Sequence, residues 1–122
     1  MGIRRIVANL DTPDPGKASA FYAGILGMEL AMDHGWIQTY AAETTEGRPQ
    51  VSFATQGGSG TPVPDLSIEV DDLETVLQRV RSADITVEYG PVTEPWGVRR
   101  FYVRDPFGRL LNIVTHAESS HD

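Results

Sequence analysis

The 122-residue sequence has no cysteine. This excludes disulfides, a thiolate nucleophile and any cysteine-based metal site. It has one lysine, Lys17, beside nine scattered arginines, and its 17 acidic residues leave a formal net charge of −7. Proteins that bind nucleic acid without regard to sequence, or that lie on anionic membranes, need clustered cations against phosphate. Neither nucleic acid nor membrane is therefore expected as a partner. No apolar run approaches the roughly 20 residues that span a bilayer. Arg4-Arg5 leads straight into a strand-like segment, without the apolar core of a secretory signal. A cytoplasmic location is the expectation. Histidine is also scarce: His34 falls in a loop, His116 at a strand end and His121 in a polar tail over 117–122, and each reads as solvated.

What is present is a repeat. Residues 3–30 read strand, aspartate, amphipathic helix, small residue, strand, and residues 65–89 repeat that order. Asp14 is the expected N-cap of the first helix, with Pro15 at its first helical position, and Asp71 or Asp72 is the expected N-cap of the second. Ala18, Phe21, Tyr22 and Ile25 mark one buried stripe, and Leu73, Val76, Leu77 and Val80 the other. Strands are expected at 28–32, 35–41 and 50–54, with a polar turn over 44–49. Gln56 to Pro62 reads as a Gly-rich linker. In the second copy, Asp65 to Val70 alternates strictly, and Ile85 to Tyr89 is a strand broken by Gly90-Pro91. Arg99–Val103 and Leu110–Thr115 form a hairpin turned at Asp105-Pro106-Phe107-Gly108. Such a repeat implies two units, neither able to bury its apolar face alone, and a ligand cleft between them.

Three motifs carry a resemblance: Phe21-Tyr22 with Leu26-Gly27 at the end of the first helix, Val70-Asp71-Asp72-Leu73 before the second, and the run Phe101 to Val114. In this order the chain resembles the vicinal oxygen chelate superfamily, the glyoxalase, bleomycin-resistance and dioxygenase-like proteins, over about residues 3–116. The resemblance implies an α+β fold in which two βαβββ modules form a curled eight-stranded mixed sheet around a cleft. One domain spans 1–122, with module one at about 3–56, the linker at about 57–62 and module two at about 63–116. It also implies a homodimer.

Many enzymes of this superfamily hold a divalent metal on His and Glu side chains. The first of those positions falls on Val7, or on Asn9 if the strand shifts by two. The others fall on Asp65 and Asn112. One carboxylate with neutral amides suits a divalent metal poorly, so no metal and no other cofactor is expected.

Strand alternation assigns Leu66, Ile68 and Val70 to the helix side, and Asp65, Ser67 and Glu69 to the concave side. On the concave side the resemblance also places Arg100, Tyr102 and Asn112. Asn9 joins them from the first copy, with Trp36, Gln38 and Tyr40 as the alternative to Ile37 and Thr39. The expected ligand-binding set is Asn9, Trp36, Tyr40, Asp65, Ser67, Trp96, Arg100, Tyr102 and Asn112. This mixture of aromatic walls and a few polar groups suits a small organic ligand. Binding or sequestration of that ligand is the leading reading. The alternative is a lyase, isomerase or hydrolase acting on a small polar or anionic metabolite, with Asp65 as general base and Arg100 and Tyr102 on developing negative charge. Whether the chain is an enzyme is left open by the residues themselves.

Overall fold

The computed structural model describes residues 2–42 and 49–116. The tail over 117–122, with His121, and the polar turn up to residue 48 lie outside the described residues. The chain divides into two compact units, Val7–Val63 and Met1–Ile6 with Pro64–Asp122.

The first unit holds β1 (Ile3–Asp11, from Val7 onward), β2 (Glu29–Asp33), β3 (Ile37–Ala41) and β4 (Gln50–Ala54), in the order β2-β3-β4-β1. β1 runs parallel to β4, and the other pairs are antiparallel. The second unit holds β5 (Leu66–Val70), α1 (Leu73–Ser82), β6 (Tyr89–Thr93), β7 (Val98–Arg104) and β8 (Leu110–His116), in the order β6-β7-β8-β5. Here β5 runs parallel to β8, and the other pairs are antiparallel. Order and strand sense are thus the same in both units, the repeat expected from the sequence. The eight strands are mixed and helices are few, an α+β fold. No helix among the described residues is long and apolar enough to cross a membrane.

Helix α1 forms as its sequence implies. Asp72 caps it, accepting from the Thr75 backbone N–H at 3.2 Å and from the Thr75 hydroxyl at 2.6 Å. Glu74 in the first turn and Arg79 and Arg81 in the last oppose the helix dipole. Leu73 and Leu77 are buried against Val70, Phe101, Val103 and Ile113. These strand residues come from β5, β7 and β8, so one face of the three strands belongs to the helix.

The first unit departs from expectation. Its helical stretch is a short 3-10 segment, Pro15–Lys17, followed by a wide π turn, Ser19–Ala23. Asp14 makes no side-chain cap there. Gly24 N–H reaches Ser19 O and Leu26 N–H reaches Phe21 O, five residues back instead of four. That widening takes the apolar stripe off its helical register. Phe21 and Ile25 lie exposed, while Tyr22 packs on Phe53 with 4.7 Å between ring centroids.

Two loop expectations also change. The Gly-rich stretch is a hydrogen-bonded turn rather than a free linker: Gly57 N–H meets Thr61 O, and Thr61 N–H meets Gly58 O. The sixth strand begins at Tyr89 and contains Gly90-Pro91 instead of ending there. It lies at the end of the strand order, where a proline costs no ladder bond, and the register slips between Tyr89 and Val92. Gly90 has φ +82°, and a Cβ there would stand 2.6 Å from Arg100 O, so the bulge admits only glycine. The turn at 105–108 forms as expected, with Asp105 accepting from the backbone N–H groups of Phe107 and Arg109.

The Thr75 hydrogen bonds hold the Asp72 carboxyl below its ordinary value of 3.8. The cap's contribution is therefore complete above that value and is lost as pH falls through the lower folded-state pKa. Asp72→Ala should lower the melting temperature at neutral pH and converge on wild type in strong acid. A melting-temperature difference that stays constant down to pH 2 would count against this cap.

A polar face on the second unit as candidate functional site

With α1 covering Ile68, Val70, Phe101, Val103 and Ile113, the alternate residues must lie on the opposite face. The register puts Ser67 beside Asn112 and Asn112 beside Tyr102, making one row across β5, β8 and β7. Glu69, Val114 and Arg100 make the next row, and His116 with Val98 lies beyond it.

Asn112 is 7% exposed, and its amide Nδ2 donates to Ser67 Oγ at 3.0 Å. Its Oδ1 is buried and meets no hydrogen-bond partner among the described residues. Buried polar groups seldom go unpaired in native proteins, which makes this oxygen a point that seeks a donor.

Arg100 is 3% exposed and enclosed. Its Nε donates to Glu94 Oε2 at 2.8 Å, and its Nη1 donates to the Tyr102 hydroxyl at 3.1 Å. The guanidinium carbon lies 5.0–5.4 Å from the ring centroids of Tyr102, Trp96 and Tyr89. The Tyr89 hydroxyl donates to the same Glu94 oxygen at 2.7 Å. The cation expected to receive an anionic ligand is thus neutralised by a buried carboxylate and boxed by three aromatic rings. Trp96 and Tyr102 serve as walls of that box.

Asp65 is exposed and closes the start of the β5–β8 ladder. It donates its N–H to Leu110 O at 2.8 Å and accepts from Leu110 N–H on Oδ2 at 3.0 Å. That work is structural, and it occupies one oxygen of the carboxylate.

A third cluster lies in the same unit. Glu69, 5% exposed, forms an ion pair with Arg5 on β1, and its other oxygen lies 2.8 Å from Nδ1 of His116. The expectation that His116 is merely solvated is corrected by this pairing. Its acid comes from a strand 47 residues earlier, so nearness in sequence gave no hint of it. The signal that was available is parity: Glu69 belongs with Asp65 and Ser67, and His116 with Asn112 and Val114.

The remaining expected residues belong to the first unit. Asn9 faces the side of Ser52, whose hydroxyl is 2.7 Å from that of Thr39. Tyr40 lies on the opposite side, 1% exposed, with its ring near Tyr22 and Phe53 and its hydroxyl on Gln38. It is a core residue beneath the helical segments, so the Ile37 and Thr39 alternative describes the Asn9 side. Trp36 stands at the β2–β3 turn, stacked with His34 at 6.0 Å. A cavity of about 320 Å³ opens on the helix side of this unit, lined by Leu10, Phe21, Tyr22 and Phe53 among others. It contains none of the expected ligand residues.

The positions that the resemblance assigns to a metal do not fit one. Val7 has no donor atom, Asp65 is engaged with Leu110, and Asn112 offers a neutral amide. No group of three metal-capable His, Asp or Glu side chains occurs among the described residues.

With the two-unit repeat and its polar face in view, the comparison with known proteins agrees. The chain matches the Glyoxalase/Bleomycin resistance protein/Dioxygenase superfamily over residues 3–113 and belongs to it. Solved structures share the fold. A glyoxalase/bleomycin resistance protein/dioxygenase superfamily member from Vibrio splendidus is 22% identical, with TM-score 0.62, covering 94% of this chain and 99% of that one. Methylmalonyl-CoA epimerase from Mycobacterium tuberculosis is 19% identical, with TM-score 0.62, covering 95% and 88%. A Legionella pneumophila structure described as an NAD-dependent benzaldehyde dehydrogenase is 17% identical, with TM-score 0.68, covering 91% and 98%. No functionally curated protein matches the chain.

Because Arg100 and Glu94 are both about 3% exposed in their side chains, removing either one strands a buried charge. Arg100→Ala and Glu94→Ala should each cost about 3–5 kcal/mol in denaturant unfolding. The double variant should cost clearly less than the sum, because the two share one interaction. Strict additivity would show that the pair is not coupled.

Proposed function

We propose that this protein is a cytoplasmic binder of a small organic molecule, without the divalent metal of its enzymatic relatives, and that the ligand lies on the polar face around Asn112 and Ser67. The observation that carries this reading is the unpartnered Oδ1 of Asn112. An acceptor left unpaired in the interior costs about 1–3 kcal/mol, and a ligand N–H or O–H would recover that. Tyr102 supplies an apolar wall beside it. The paired state of Arg100 argues against an anionic group at that residue, so the ligand presents a hydrogen-bond donor to this face. The lyase, isomerase or hydrolase alternative that relies on Asp65 as base is weakened by the Leu110 contact.

The chain is also proposed to be a homodimer. In the first unit Leu10, Phe21, Ile25, Leu26 and Leu30 are between 45% and 70% exposed, and apolar groups exposed in such number mark association surfaces. Sedimentation at micromolar concentration should give about twice the 13.4 kDa chain mass. A single species at the chain mass would refute the dimer.

Thermal-shift screening of a metabolite library tests the binding reading. A true ligand at a hundred times its Kd stabilises the fold by about 2.7 kcal/mol. Asn112→Leu should weaken that ligand by about 1–3 kcal/mol, while Tyr40→Phe should leave its affinity unchanged. Elemental analysis should find well under one equivalent of Zn, Ni, Mn or Fe. A stoichiometric metal lost in Asp65→Ala, or ligands indifferent to Asn112→Leu, would defeat the proposal.

A further inference from the structure

We infer that His116, oriented by Glu69, is a proton-accepting residue at the open end of this face, acting through Nε2 on a weakly acidic hydroxyl of the bound molecule. The inference rests on the proposed binding at Asn112 and adds a base to it. Glu69 is buried while His116 has 50% of its side chain exposed. Nδ1 lies 2.8 Å from Glu69 Oε2. A carboxylate accepts and does not donate, so the proton of this bond belongs to Nδ1 and the ring's lone pair to Nε2. A buried acid that fixes the tautomer of a more exposed imidazole is the arrangement by which proteins prepare a histidine to take a proton. Arg5 pairs with the other Glu69 oxygen, so the carboxylate is held from two sides.

Glu69 is thus a positioning residue, and His116 is the group that meets the ligand. His116 shares its strand and face with Asn112, four residues away. Four residues of strand span roughly 13 Å. The ligand would therefore be elongated, with a donor at Asn112 and its acidic end at His116.

The proton transfer is simple to balance. The ligand O–H bond breaks, an Nε2–H bond forms, and the electron pair stays on the ligand oxygen. The resulting imidazolium stands against the Glu69 carboxylate. The hydroxyl must be of the phenol or enol kind. Imidazole has a pKa of about 6.5 and a phenol one of about 10, a gap that a positioned base can bridge. An aliphatic alcohol lies much further away, and no group of three metal-capable side chains occurs among the described residues to acidify it.

The tautomer is measured on the ligand-free, full-length protein by long-range ¹H–¹⁵N correlation of the imidazole at a pH where it is neutral. Wild type should show His116 protonated at Nδ1, and Glu69→Gln should move population toward the Nε2–H form. Carbethoxylation of His116 at Nε2 by diethyl pyrocarbonate, followed by mass spectrometry, should slow in Glu69→Gln in proportion to the Nε2–H population that the variant gains. A predominant Nε2–H tautomer in wild type overturns the inference without any variant, and it leaves the binding proposal untouched. Against a panel of phenols, enols and aliphatic alcohols, stabilisation by the acidic members should fall in His116→Gln. Stabilisation that survives His116→Gln unchanged, or that alcohols match, overturns the assignment of His116 to the ligand.

Discussion

The second unit depends on one packing event, the docking of α1 on β5, β7 and β8. Leu73 and Leu77 take Val70, Phe101, Val103 and Ile113 out of water together. Because strands alternate with period two, that choice commits every other residue of the three strands to the opposite face. Ser67, Glu69, Arg100, Tyr102, Asn112 and His116 are therefore gathered by the hydrophobic effect acting on their neighbours, not by attraction among themselves. A one-residue slip in any strand would exchange the two sets. Asp65 opposes such a slip by holding the backbone of Leu110 through two hydrogen bonds.

A polar face so gathered must still meet the cost of burial. Arg100 and Glu94 answer it as a hydrogen-bonded pair inside an aromatic box, and a pair of this type is weak evidence for net stability. What it supplies is a fixed position for Tyr102, Tyr89 and Trp96 around one cation. Glu69 answers the same cost differently, by reaching the more exposed Arg5 and His116. Asn112 is the exception, since only one side of its amide is answered among the described residues.

The second unit was largely legible in the sequence. Strict alternation from Asp65 to Val70, the Asp72 cap and the i, i+3, i+4 stripe of α1 all point the same way, and local and global preferences agree. The first helix was not legible. Its stripe and its Asp14-Pro15 start suggest a regular amphipathic helix. The structure instead widens after Ala18, and Phe21 and Ile25 turn outward. The face of Tyr40 was illegible for a related reason: Ile37 to Ala41 contains apolar residues at both parities, so alternation could not choose a face. The pairing of Tyr22 with Tyr40 and Phe53 makes that choice. Arg100 lies on the face that alternation assigns to it, but its pairing with Glu94, just past the end of β6, has no counterpart in the sequence pattern. Such pairings are set by register and bulges, which short-range pattern does not encode.

Strand register likewise brings Glu69 and His116 together, away from the positions that the resemblance assigns to a metal. In this chain those positions hold a valine, a backbone-bound aspartate and an amide. Histidine and glutamate are nevertheless both present on the face opposite α1, displaced toward the other end of β5 and β8. Two of the side-chain types that relatives use to grip a metal here meet each other instead. A metal would need both as ligands to one ion, whereas the short contact between Nδ1 and Oε2 uses their mutual affinity. In the reading proposed above, the polar surface at the ends of these two parallel strands serves a hydrogen-bonded base rather than a Lewis acid. That a shared fold can carry such a change follows from where the constraint lies: α1 fixes which residues face the site, and nothing in that packing fixes what they must be.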